Sequence, residues 1–132
     1  ASNNDLDMLS EMRTAALLAK GVAADASVVS AAEALRMATY GGAKALGLEA
    51  EIGSLASAKL ADIVAIDLGG IGAAPLYDPV SQIVYAGHRD QVSNVWVGGR
   101  RVVVDRTLVN VDETALKRTA DRWRNEIDQV RD

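Results

Sequence analysis

Apolar positions recur at helical spacing over residues 4 to 20, where Leu6, Leu9, Met12, Ala16 and Ala19 form one stripe. Met8, Ala15, Leu17 and Leu18 widen that stripe until little of the helix is polar. A helix so apolar around its circumference belongs inside a larger body. Asn4 is placed to cap it, Asp5 and Asp7 suit its positive end, and Gly21 is expected to end it. Ser30 and Glu33 have the spacing of a capping box and open a second helix through Ala31, Ala34, Leu35 and Ala38. Gly41-Gly42 is expected to interrupt it, before a short turn from Ala43 to Leu46 that closes at Gly47. The paired glycines cost about 1 kcal/mol each against Ala. They read as a helix break or as a phosphate loop, though a loop of that kind wants a preceding strand and another glycine spacing.

From Ile52 the period changes to two. Gly53 to Leu55 is expected as a short strand, and Asp62 to Asp67 as a stronger one. Its continuous Ile63-Val64-Ala65-Ile66 suits a strand covered on both faces. Residues 68 to 79 carry Gly and Pro and read as a loop, and Gln82 to Ala86 is a third apolar run. Val92 to Val97, Gly98-Gly99 and Arg100 to Val104 make a hairpin with a glycine turn. Asp112 caps a final helix with Leu116, Ala120, Trp123, Ile127 and Val130 on one face, so Trp123 is expected in the core. The order is helices, strands, helix, which places the elements in two layers.

Composition narrows the class. A chain of 132 residues, 49% hydrophobic, can bury one core, and with no Phe that core must be built of Ala, Val, Leu and Ile. A net charge of −4 with scattered basic residues argues against nucleic acid. No apolar stretch approaches the roughly 20 residues of a membrane span, and the first residues have no signal-peptide pattern. Cysteine is absent, which excludes disulfides and thiolate metal sites and fits a cytoplasmic setting. The first residue is not Met, and the helical pattern starts at once, so an internal start of a longer protein is expected.

The stretch from Ala34 to Leu48, with Ile52-Gly53-Ser54-Leu55 and Lys59 to Asp67, resembles the C-terminal part of the amidohydrolase superfamily. Ser2-Asn3-Asn4-Asp5-Leu6-Asp7-Met8 and Asp78-Pro79-Val80-Ser81-Gln82-Ile83-Val84-Tyr85-Ala86 are similar to the branch of 5-methylthioadenosine/S-adenosylhomocysteine deaminases and related chlorohydrolases. That branch would carry His where Gln82 stands. The resemblance implies an α/β fold: closing helices of a (β/α)8 barrel, then the C-terminal share of a small β-sandwich and a terminal helix. Residues 1–50 would be the last βα loop and closing helices, 51–110 the sandwich share and 111–132 the helix.

The same resemblance implies hydrolytic deamination of an adenosine derivative. A divalent metal, zinc first among candidates, would lower the pKa of bound water to about 7. The family's ligands are four His and an Asp that lies a few residues ahead of the Ser-Asn-Asn segment. With His88 as its single histidine, this chain cannot supply that set, so metal and catalytic residues are expected outside it. Partners expected are the upstream part of the enzyme, in the same polypeptide or as a second chain, further copies of the full enzyme in a homo-oligomer, and a nucleoside substrate. The competing reading is a non-catalytic binding or assembly module. His88 reads as a loop residue, and Asp62 and Asp67 as turn and edge residues. Ser2, Asn3 and Asn4 are the candidate site residues, either as a helix cap or, by the resemblance, as pocket lining or support at the barrel mouth.

Overall fold

The computed structural model describes residues 5–130. Helix α1 (Met8–Ala23) starts later than its apolar pattern suggests. Asp7 is its cap: the side-chain Oδ1 accepts from the Leu9 and Ser10 amides at 3.0 and 3.4 Å. Asn4, the expected cap, lies outside the described residues. Gly21 does not end the helix. The chain leaves it at Ala24, whose φ of 50° is left-handed.

Ser30 and Glu33 form the capping box of α2 (Ala31–Arg36). The expected break at Gly41-Gly42 does not occur. A π-helical turn (Met37–Gly41) carries the backbone directly into α3 (Gly42–Ala45), with both glycines at ordinary helical angles. Thr39 donates its hydroxyl to the Leu35 carbonyl at 2.7 Å on this widened stretch.

The expected strand at Gly53–Leu55 is a turn instead. Gly53 has φ +84°, and an added Cβ would stand 2.6 Å from the Ala43 Cβ. Lys59 Nζ closes the loop by donating to the Glu49 and Ile52 carbonyls at 2.6 and 3.1 Å. The apolar run Gln82–Ala86 is helical, inside α4 (Pro79–Ala86). Asp78 caps it through the Val80 and Ser81 amides, and Pro79 occupies the first turn, where its missing N–H is harmless.

The strands β1 (Ile63–Ile66), β2 (Val92–Val97), β3 (Arg100–Val104) and β4 (Thr107–Leu108) form one antiparallel sheet in that order. The β2–β3 hairpin turns on Gly98 and Gly99 at φ 55° and 76°, the left-handed pair that matches strand twist. Bulges interrupt the register at Ala65/Ile66 and Val95/Trp96. The outer edge of β1 pairs with nothing among the described residues.

Leu9, Met12 and Ala16 of α1 meet Ala31 and Ala34 of α2 and Val84 of α4 in the main core, with Ile66 and Val92 bringing the sheet against it. Helix α5 (Glu113–Val130), capped by Asp112 as expected, contributes no buried residue. Trp123 is 56% exposed, so its expected place in the core is not realised within this chain. Leu116, Ile127, Leu17, Leu18 and Val22 are also exposed. The chain exposes 9764 Å². A compact monomer of its size would expose about 6,700 Å².

Candidate functional site

The polar end of α1 and the turn after α4 meet in a cavity of roughly 380 Å³ lined by Asp5, Asp7, Ser10, Arg13, Gly87, His88, Arg89 and Asp90. Arg13 leaves the second turn of α1, and its Nη2 donates to the Gly87 carbonyl. Its Nε is buried and has no hydrogen-bond partner among the described residues. Arg89 reaches the opposite way, and its Nη1 pairs with Asp5 Oδ1. Two arginines thus cross between the entry to α1 and the α4–β2 turn.

Gly87 makes this approach possible. It is buried, and a Cβ there would lie 2.4 Å from the Ile83 carbonyl oxygen. Its amide donates to that same oxygen at 3.1 Å, closing α4. His88 is exposed, and its amide donates to Gln91 Oε1 at 2.9 Å at the head of a 3-10 turn (Arg89–Gln91).

Asp62 and Asp67 sit at opposite ends of β1 and do not converge. Asp62 Oδ1 accepts from the Gly98 amide at 2.6 Å and holds the hairpin turn. Asp67 accepts from the Gly69 amide at 2.9 Å and pairs with Arg106 at 2.8 Å. The Gly69 amide first, and then Arg106, hold its carboxyl below the usual carboxylate value. Gln82 lies half-buried on α4. Ser2, Asn3 and Asn4 lie outside the described residues.

Among the described residues no group of three or more His, Asp or Glu converges as metal ligands do. His88 shares its cavity with Asp5, Asp7 and Asp90 as well as with Arg13 and Arg89, and these carboxylates do not gather around it as a ligand set. The residues described here therefore do not fit a zinc site. No described helix is long and apolar enough to cross a membrane.

The crossed arginines were not visible in the sequence. Their contacts span 74 and 84 residues, and no local spacing announces them. Arg13 is one of three charged residues in α1, with Glu11 and Lys20, and nothing in the sequence singles it out.

The amidohydrolase family matches residues 1–102, and the chain belongs to that family. It is 45% identical over 127 residues to the 5-methylthioadenosine/S-adenosylhomocysteine deaminase of Teredinibacter turnerae, covering 96% of this chain and 29% of that protein. Its fold matches an adenosine deaminase from Xanthomonas campestris with bound zinc at a TM-score of 0.94 and 50% identity, over 98% of this chain and 29% of that one. An atrazine chlorohydrolase from Arthrobacter aurescens, complexed with zinc, matches at 0.78 and 30% identity over 86% of this chain and 25% of that one. The chain thus spans under a third of the relatives it matches, and it corresponds to their C-terminal part.

Proposed function

We propose that this chain is the C-terminal portion of a metal-dependent amidohydrolase that deaminates an adenosine derivative, 5-methylthioadenosine or S-adenosylhomocysteine. One observation carries the reading: 98% of the chain superposes at a TM-score of 0.94 on a zinc-bound adenosine deaminase. The relatives named for the two thioether nucleosides support the substrate class. Residues up to 50 then serve as the last βα loop and closing helices of a barrel, residues 51–110 as a share of a β-sandwich and residues 111–132 as a covering helix.

The exposed face of α1, the α5 stripe and the free β1 edge are in this reading surfaces that the barrel and the other sandwich strands cover. The divalent metal and the catalytic groups belong to that upstream part, whether one polypeptide or two. Ser2, Asn3 and Asn4 support or line the pocket. The full enzyme is placed in the cytoplasm as a homo-oligomer.

Ammonia release from either nucleoside tests the proposal. The protein that joins this chain to its barrel is expected to turn over, and the isolated chain is not. Turnover by the isolated chain that His88→Ala abolishes would overturn the assignment. Inactivity of the joined protein toward every adenosine derivative would favour the assembly-module reading.

A further inference from the structure

We propose that a groove between α1 and the π-helical turn after α2, lined by every methionine of the chain, seats an apolar element from the part of the protein that precedes residue 1. The inference deepens the reading above. It rests on this chain being the C-terminal portion of a longer protein, and not on that protein's deaminase activity.

The groove is built by side-chain size. Met8 and Met12 come from α1, and Met37 opens the π-helical turn. Ala15, Ala34 and Ala38 line the rest, and these small side chains leave roughly 240 Å³ open among the thioethers. Glu11 is the one charged residue at the groove. The chain has three methionines in all, and each of them lines this place. An unbranched, polarisable thioether adapts to the shape set against it and favours the edge of an aromatic ring. Met12 is already buried, but Met8 and Met37 are 59% and 53% exposed.

The apolar face runs on past the groove. Ala15, Leu18 and Val22 follow Met8 along α1 at spacings of seven, three and four, which keeps them on one side of the helix. Leu18 and Val22 are exposed. At 1.5 Å per residue the row from Met8 to Val22 is about 21 Å long. A row of that length fits an extended element, a helix or a strand, rather than a small molecule.

Size decides where that element comes from. The chain exposes about 3,000 Å² more than a compact monomer of its mass. A second copy docked through one standard interface would cover about 800 Å² of this surface. The chain makes up 29% of the zinc-bound deaminase on which it superposes, and it corresponds to the C-terminal part of its relatives. In those relatives the remaining part is more than twice this chain in size, and it enters a few residues ahead of Met8, beside the groove.

Peroxide footprinting of the joined protein tests this without reference to turnover. Methionine is oxidised to its sulfoxide where peroxide reaches the sulfur. Side chains half exposed, as Met8 and Met37 are in this chain, would react within about twofold of their rate in the urea-unfolded protein. Seated under an upstream element, both are expected to react at least about tenfold more slowly, alongside Met12. Rates at Met8 and Met37 close to those of the unfolded protein would overturn the proposal. So would protection that is lost on dilution to the monomer, which belongs to a second copy. Photo-methionine cross-linking then identifies the occupant. Links from Met8 and Met37 are expected to run within one chain to peptides ahead of residue 1, and links confined to residues 1–132 would overturn it. If the joined protein deaminates nothing yet shows this protection and these links, the functional reading fails and the groove assignment stands. Free oxidation of Met8 and Met37 in an active deaminase defeats the groove assignment alone.

Discussion

Replacing Gly87 by Ala should destabilise the protein, although the same change normally strengthens a chain by limiting its unfolded states. The added Cβ would lie 2.4 Å from the Ile83 carbonyl oxygen and 3.1 Å from the Ile83 Cα. Ordinary contact needs about 3.4 Å, so the backbone must move by roughly 1 Å in a close-packed place. Overpacking of this kind costs about 1–3 kcal/mol. The displacement also strains the Gly87 amide bond to Ile83 and turns the carbonyl that Arg13 holds. A neutral hydrogen bond is worth about 1 kcal/mol and a charged one about 1.5–3 kcal/mol. Partial loss of both brings the expected total to about 3–4 kcal/mol. Gly21→Ala is the control. Gly21 lies inside α1, and an added Cβ there would meet nothing within 4 Å. That change should stabilise by about 0.5–1 kcal/mol. Denaturant unfolding of both variants, compared through their midpoints, gives opposite signs if the argument holds. A Gly87→Ala protein as stable as wild type, or two variants shifted alike, would refute it.

Three further expectations follow from single sites. Met12→Ala, which removes a 5% exposed side chain from the α1–α2–α4 core, should cost about 2–5 kcal/mol in denaturant unfolding. Ala24→Gly should stabilise by about 0.5–1 kcal/mol, because Ala24 holds a left-handed φ of 50° where glycine is unstrained; a loss of stability there would contradict the strain. Glu33 and Asp78 are held below the ordinary carboxylate range, chiefly by the Ser30 and Ser81 hydroxyls respectively. Folded pKa values below the unfolded ones mean that stability is complete above about pH 4–5 and is lost as pH falls through the lowered values. Thermal melts should therefore weaken on acidification, less steeply in Asp78→Asn, and a flat profile in the wild type would contradict the caps.

The elements readable beforehand are those whose signal is local. The β2–β3 hairpin needed only two glycines at left-handed angles, and α2 only Ser30 and Glu33. Asp112 and the α5 stripe were legible for the same reason. Failures came where tertiary contact outweighed pattern. Gly53–Leu55 alternates like a strand, but Gly53 packs on Tyr40 and Ala43 at a φ no strand uses. Gln82–Ala86 is short and apolar, a length at which strand and helix look alike, and the Asp78-Pro79 cap was the deciding signal. Gly41-Gly42 stays helical because a π-turn absorbs the extra residue. The family was legible from Ala34–Leu48 together with the shorter stretches Ile52–Leu55 and Lys59–Asp67. The arginine crossing was not, since it exists only once α1 and α4 are packed.

The distribution of burial explains why the site lies where it does. Two of the three helices that share the core, α1 and α4, also flank the arginine crossing, and Val84, fully buried, sits three residues from Gly87. Packing therefore fixes the α4–β2 turn most firmly at the point where it must hold the entry to α1. Farther from that core the constraint falls away. The hairpin is held by its own ladder and by Asp62, and α5 by its cap and by surface pairs such as Arg122–Glu126 at 3.7 Å. Exposed pairs of that kind contribute at most about 1 kcal/mol. Leu116, Trp123 and Ile127 of the α5 stripe are each more than half exposed, and under the proposed reading they gain their stabilisation from the barrel that covers them. A well-packed core on α1, α2 and α4 beside an α5 with no buried residue is what the proposed reading expects of a chain that shares its interior with a barrel.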